Sequence, residues 1–201
     1  PYGYGDSTIT GGTFDLNLYH GTELCYHLWH VDYCTTKTFE SGKNIYLVDY
    51  DSTRDQSNNI PVDMRSYLNG IYQSNDYGRL PSSLLDTGTE YFTVGSRYFS
   101  NAPQQHYTGS IHEMLVFDRV LTDAEIFIIN YYLSSKWGFT DRVDSDADGI
   151  LDYDENYGTY GDNSIPYLVD SDSDLLTDYQ EVLGQVVTTF YTGCKIAGDC
   201  L

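Results

Sequence analysis

Two stretches of this chain are near copies of one another: Val143-Asp-Ser-Asp-Ala-Asp-Gly-Ile-Leu-Asp-Tyr-Asp-Glu155 and Val169-Asp-Ser-Asp-Ser-Asp-Leu-Leu-Thr-Asp-Tyr-Gln-Glu181, identical at eight of thirteen positions. Residues 141–181 hold thirteen acidic side chains against the single Arg142, and so carry twelve of the chain's twenty net negative charges. Like charges this dense cannot close into a compact fold unneutralised. In the first copy Asp144, Asp146 and Asp148 occupy loop positions 1, 3 and 5, with Gly149 at 6. Ile150 offers a carbonyl at position 7, Asp152 stands at 9, and Glu155 at 12 can bind through both oxygens. An all-oxygen set of about six or seven ligands suits calcium, whereas magnesium demands a tighter octahedron and keeps its waters. In the second copy Asp170, Asp172, Asp174, the Leu176 carbonyl, Asp178 and Glu181 take the matching places, but Leu175 replaces the glycine. That position takes positive φ, so a β-carbon there costs on the order of 1 kcal/mol, and the second site is expected to be the weaker.

Charge also narrows the partners. Across 201 residues, 30 Asp and Glu stand against 10 Lys and Arg, a balance that repels nucleic acid and anionic membranes. No run approaches the roughly 18 apolar residues of a spanning helix, so membrane insertion is not expected. A hydrophobic content of 40% is too rich for a disordered acidic chain, and the length fits one ordinary domain with a small appendage. Tyrosine is abundant, with 21 copies against 8 Phe and 2 Trp. Its ring buries area while its hydroxyl stays hydrogen-bonded, which suits half-buried strand faces.

Upstream of the repeat, short β-rich runs alternate with Gly, Asn, Asp, Ser and Pro. Strands are expected at Thr13–Tyr19, Leu24–Tyr33, Asn44–Asp49, Met64–Tyr72, Glu90–Val94 and Gly109–Asp118. In the last of these Ile111, Leu115 and Phe117 share one parity, and Ser110, His112, Met114 and Val116 the other. Such short, interrupted runs read as a mainly β protein, an antiparallel β-sandwich, and argue against a parallel α/β sheet. One helix follows. Thr122-Asp-Ala-Glu125 is a capping box and Gly138 waits beyond the far end, which predicts a helix over 123–136. Its apolar residues Ile126, Ile128, Ile129, Leu133 and Trp137 are expected to pack on the sandwich. The chain therefore divides into a sandwich with its closing helix (1–140), two calcium loops (141–183), and a C-terminal strand with a cysteine loop (184–201).

The four cysteines, Cys25, Cys34, Cys194 and Cys200, form no CxxC pair, so disulfides are expected rather than zinc or redox chemistry. A Cys194–Cys200 bridge would close a short loop and stabilise it by about 2–3 kcal/mol. If residues 23–33 form one strand, Cys25 and Cys34 lie roughly 30 Å apart, far beyond disulfide reach. Either the chain folds back there or the pairing is crossed.

The DxDxDGxxDxxE spacing over residues 143–181 resembles the thrombospondin type 3 repeats of bacterial extracellular proteins. That resemblance implies calcium dependence and little apolar core. Tyr67-Leu-Asn-Gly70, Val94-Gly-Ser-Arg97 and the stretch from Gly109-Ser-Ile-His-Glu113 through Asp118-Arg-Val-Leu121 to Lys136-Trp-Gly138 resemble laminin-G-like domains of the concanavalin A-like superfamily. This second resemblance, spanning about residues 65–138, implies a jelly roll. The family enters this region after a longer set of N-terminal strands than the segment before Trp29 supplies. Strands missing, rearranged or supplied by a neighbouring chain are the open alternatives.

No catalytic set is expected. Sugar-cleaving relatives of that fold carry Glu-x-Asp-x-x-Glu on one strand, and here Glu113 and Asp118 are five apart, on opposite faces of a strand. His20, His27, His30, His106 and His112 show no tight metal-binding spacing. No GxSxG, Walker loop, dinucleotide fingerprint or Asn-x-Ser/Thr sequon occurs. Two functions of different classes remain. The first is a calcium-stabilised extracellular structural or adhesion protein whose copies exchange strands to build a surface filament. The second is a carbohydrate-binding, lectin-like module of a secreted protein that takes surface glycans on its aromatics, Trp29 among them. The opening Pro1-Tyr2-Gly3 shows no export-signal pattern, so a secreted or cell-surface location is expected from the calcium loops. Extracellular sites of this kind bind at about 10⁻⁴–10⁻³ M, filling outside a cell and emptying inside.

Overall fold

A computed structural model describes residues 2–5, 13–19, 23–28, 31–38, 41–51, 64–73, 92–99, 102–104, 106–160 and 164–183. The chain divides into two units, residues 1–68 with 72–121, and residues 69–71 with 122–201.

The first unit is antiparallel β. Its strands are β1 (Tyr2–Gly5), β2 (Thr13–Tyr19), β3 (Glu23–Leu28), β4 (Val31–Thr38), β5 (Tyr46–Tyr50), β6 (Met64–Leu68), β7 (Ile71–Gln73), β8 (Thr93–Val94), β9 (Arg97–Phe99) and β10 (Ala102–Gln104). They form sheets of order β4-β3-β2-β1-β8, β5-β6-β7 and β10-β9. The alternation of Phe14, Leu16 and Leu18 with Asp15 and Asn17 makes β2 a strand. Its register sets those apolar positions across from Leu28, Tyr26 and Leu24 of β3.

The run Leu24–Tyr33 is not one strand. The chain reverses between Leu28 and Val31, which are paired, and Cys25 stands directly across from Cys34. Opposed residues of an antiparallel pair lie about 4.5–5.5 Å apart, within disulfide reach, so the fold-back alternative is the one realised. The stretch Met64–Tyr72 likewise splits, into β6 and β7. Asn69 and Gly70 between them have φ of 52° and 88°, the signature of a type I′ hairpin. Asp49 and Arg65 pair across β5 and β6, and the Arg65 Nε donates to Asp49 Oδ2 at 2.9 Å.

The expected strand Gly109–Asp118 is absent. The segment takes no strand pairing, and Ile111, Met114, Leu115, Val116 and Phe117 are 38–73% exposed. Its sequence alternation marks a chain able to pair, but pairing needs a neighbouring edge that the local pattern does not encode. The expected C-terminal strand 185–191 and the Cys194–Cys200 loop lie outside the described residues.

The second unit contains α1 (Asp123–Trp137), a 3-10 turn (Thr140–Arg142), α2 (Asp152–Tyr157) and α3 (Asp178–Val182). The capping box forms as the sequence predicts: Glu125 N–H donates to Thr122 Oγ1 at 3.3 Å and Thr122 N–H to Glu125 Oε2 at 2.9 Å. Gly138 ends the helix at φ 67°. The buried line of α1 is Ile126, Asn130 and Ser134, whereas Ile128 is 51% exposed. This corrects the expected apolar face. The helix belongs to the same unit as the acidic loops, and its Ser134 hydroxyl donates to Asp152 Oδ2 at 2.6 Å. Among the described residues, no helix is long and apolar enough to cross a membrane. Buried apolar side chains of this unit are Ile126, Phe139, Val143 and Ile150, and they share the interior with Asn130, Ser134, Asp144, Ser145, Asp146, Asp152, Glu155 and Asp178.

Candidate metal centre

Both acidic loops adopt the same backbone. Residues four and six of each copy have positive φ: Ala147 at 61° and Gly149 at 111° in the first, Ser173 at 63° and Leu175 at 81° in the second. Leu175 is thus held in the conformation its position demands, against the preference of a side chain with a β-carbon. These reversals turn backbone N–H groups inward, onto the aspartates. Gly149 N–H donates to Asp144 Oδ2 at 3.1 Å, and Leu175 N–H to Asp170 Oδ2 at 3.0 Å. Asp148 N–H bonds Asp146 Oδ1 as Asp174 N–H bonds Asp172 Oδ1, both at 3.2 Å. Ile150 N–H reaches Asp148 Oδ1 at 2.8 Å and Leu176 N–H reaches Asp174 Oδ1 at 2.9 Å.

The aspartates at position 9 bond to their own loops. Asp152 Oδ1 accepts the Ser145 N–H at 2.8 Å, and its Oδ2 accepts the hydroxyls of Ser145 at 2.9 Å and Ser134 at 2.6 Å. Asp178 accepts the Ser171 N–H at 2.9 Å and the Ser171 hydroxyl at 2.6 Å. Each closes its loop by bonding back to position 2, so these two carboxylates are braces, not members of the metal-facing triplets. Serine at position 2 of both copies was the sequence signal for this arrangement. A further backbone contact anchors the first loop: Asp144 N–H donates to Asn69 O at 3.3 Å.

Two triplets of aspartates could each hold a metal ion. Asp144, Asp146 and Asp148 bring one carboxylate oxygen each to within 4.8 Å of one another, as do Asp170, Asp172 and Asp174. The two differ in burial. Asp144 and Asp146 are buried and Asp148 partly so, whereas Asp172 and Asp174 are exposed. In the first loop Asp144 Oδ1, Asp146 Oδ2 and Glu155 Oε2 are buried without a hydrogen-bond partner. Buried carboxylate oxygens left in that state are costly, and a hard cation ligated by oxygen is what such a set fits. Glu155, at position 12, is 1% exposed and its Oε1 accepts the Ser164 hydroxyl at 3.0 Å. Glu181, its counterpart, is exposed.

Electrostatics agree with geometry. Burial, then the charge of Asp148, pushes Asp144 up to about 6. The same two causes take Asp146 to about 7. Burial raises Asp148 and takes Asp152 to about 6. Glu155 goes furthest, to about 9, through burial and then the charge of Asp146. Without a cation Glu155 keeps its proton at neutral pH and Asp146 keeps part of its own, where ordinary carboxylates are ionised.

Compared with known proteins, the chain matches no family model, no curated protein and no solved structure. The resemblances drawn from its sequence therefore stand on their residues alone.

Proposed function

We propose that this is a non-catalytic, calcium-stabilised extracellular structural or adhesion protein, with self-association into a surface filament as its finer function. One observation carries the calcium reading: three carboxylate oxygens of the first copy, on Asp144, Asp146 and Glu155, are buried without a hydrogen-bond donor. Among the described residues of the second unit, more polar and acidic side chains than apolar ones are buried. Calcium supplies the cohesion that a hydrophobic core gives elsewhere. The segment Ile111–Phe117, in which Ile111, Met114, Leu115, Val116 and Phe117 are exposed, supports strand exchange between copies. Asp148→Ala is expected to lower the melting temperature in millimolar calcium and leave it nearly unchanged in excess chelator. Equal destabilisation in both media would sink the metal assignment.

A second reading, carbohydrate binding, is favoured by an open groove of about 430 Å³ in the second unit, lined by Ile128, Tyr131, Tyr132, Ser135, Lys136 and Tyr167. Tyrosine rings present faces on which sugar rings stack, and hydroxyl and ammonium groups stand at the same lip. Light scattering and electron microscopy in calcium, with and without added glycan, separate the two. A filament subunit polymerises without sugar, and a lectin stays discrete and binds sugar saturably.

A further inference from the structure

Within the second unit the first acidic loop is held partly from outside itself. Asp148 accepts its own loop's Ile150 N–H through Oδ1, and through Oδ2 it accepts the backbone N–H of Tyr179 at 3.1 Å. Tyr179 belongs to α3, the helix of the second loop. The Tyr179 ring also lies against Gly149, where an added β-carbon would stand 3.2 Å from its Cδ2. Glu155 is held by Ser164, on the approach to the second copy. Support in the other direction is missing from the corresponding bonds. Among the described residues, the hydrogen bonds to Asp170, Asp172 and Asp174 come from Ser173, Asp174, Leu175 and Leu176, all in their own loop.

Resting on the reading that these loops bind calcium, we propose that the second loop is a positioning element for the first cation site. Calcium held by Asp170, Asp172 and Asp174 orders the turn that delivers the Tyr179 N–H to Asp148, and so tightens calcium at Asp144, Asp146 and Asp148. A donor on each oxygen of Asp148 fixes the rotation of that carboxylate and leaves further lone pairs for a cation. Less rotational freedom is then lost when the ion arrives. Because coupling between two sites is reciprocal, calcium in the first loop tightens the second by the same factor.

The test is calorimetric titration of the full chain with calcium. The wild type should show two events. Asp172→Asn should abolish the second and weaken the first by about fivefold or more, the low end of ordinary coupling. Leu175→Gly, which relaxes the backbone at φ 81°, should tighten both events, a gain that a damaged fold cannot produce. Replacing Tyr179 by its α-hydroxy acid removes that N–H, at the cost of a weaker acceptor at the Asp178 carbonyl, and should weaken the first event with every carboxylate intact. Loss of only the second event in Asp172→Asn, or an unchanged first event in the α-hydroxy variant, leaves two uncoupled sites and overturns the proposal. Absence of any calcium uptake by the wild type defeats the calcium reading itself, a distinct result.

Discussion

Gly70 is the residue at which backbone geometry and the candidate metal centre meet. It has φ of 88°, and a β-carbon there would collide with the Asp144 carbonyl. Gly95 has a similar φ of 81° but open space around it, so the pair separates strain from collision. Gly95→Ala should cost about 1 kcal/mol. Gly70→Ala should cost about 2–4 kcal/mol, since overpacking is added to strain. Urea unfolding in calcium measures both, and equal losses would show that the approach to Asp144 does not matter. The acidic residues make a prediction of opposite sign in the two states of the protein. In the metal-free fold Asp146 lies at about 7 and Glu155 at about 9, above their unfolded values. The folded form then holds protons that the unfolded form has released, and its stability is lost as pH rises through those values. In chelator the melting temperature should climb as pH falls from about 9 to about 5. In saturating calcium it should fall over that range, because protons then compete with the ion for the same oxygens. Parallel curves in the two media would disprove the assignment.

At the scale of elements, α1 is secured by its cap. Thr122→Ala removes the acceptor for Glu125 N–H and half of the reciprocal box, and should cost about 1 kcal/mol of stability by thermal melting. No measurable change would mean that packing alone holds the helix. Both β2 and α1 were legible in the sequence because strict alternation and a capping box are local signals that the folded chain obeys. Three features were not. The reversal between Leu28 and Val31 falls where the sequence is Trp29-His30, neither of them a usual turn residue. The Asn69-Gly70 hairpin did carry its signal, inside a run that also reads as one continuous strand. Asn130 and Ser134 have no place in the apolar face expected of α1, yet both are buried. In the metal centre the aspartate spacing predicted the triplets and the positive φ of Leu175. It could not show that position 9 bonds back to position 2, a contact that appears only in the geometry of Ser145 and Ser171.

For the molecule as a whole, the exposed apolar segment sets the expectation for assembly. Val116 is 73% exposed, so Val116→Asp should change monomer stability by no more than about 0.5 kcal/mol. If this segment accepts a strand from another copy, the same substitution should abolish calcium-dependent assemblies seen by light scattering, and assemblies of wild-type size would exclude it from the interface. A last consequence follows from the turn at residues 69–71, which belongs to the same unit as the acidic loops although some seventy residues of sequence lie between them. Recombination that moved residues 122–183 into another gene would leave behind the Asn69 carbonyl that receives the Asp144 N–H. The acidic unit is therefore not self-contained in sequence, because one of its backbone donors is received by that hairpin.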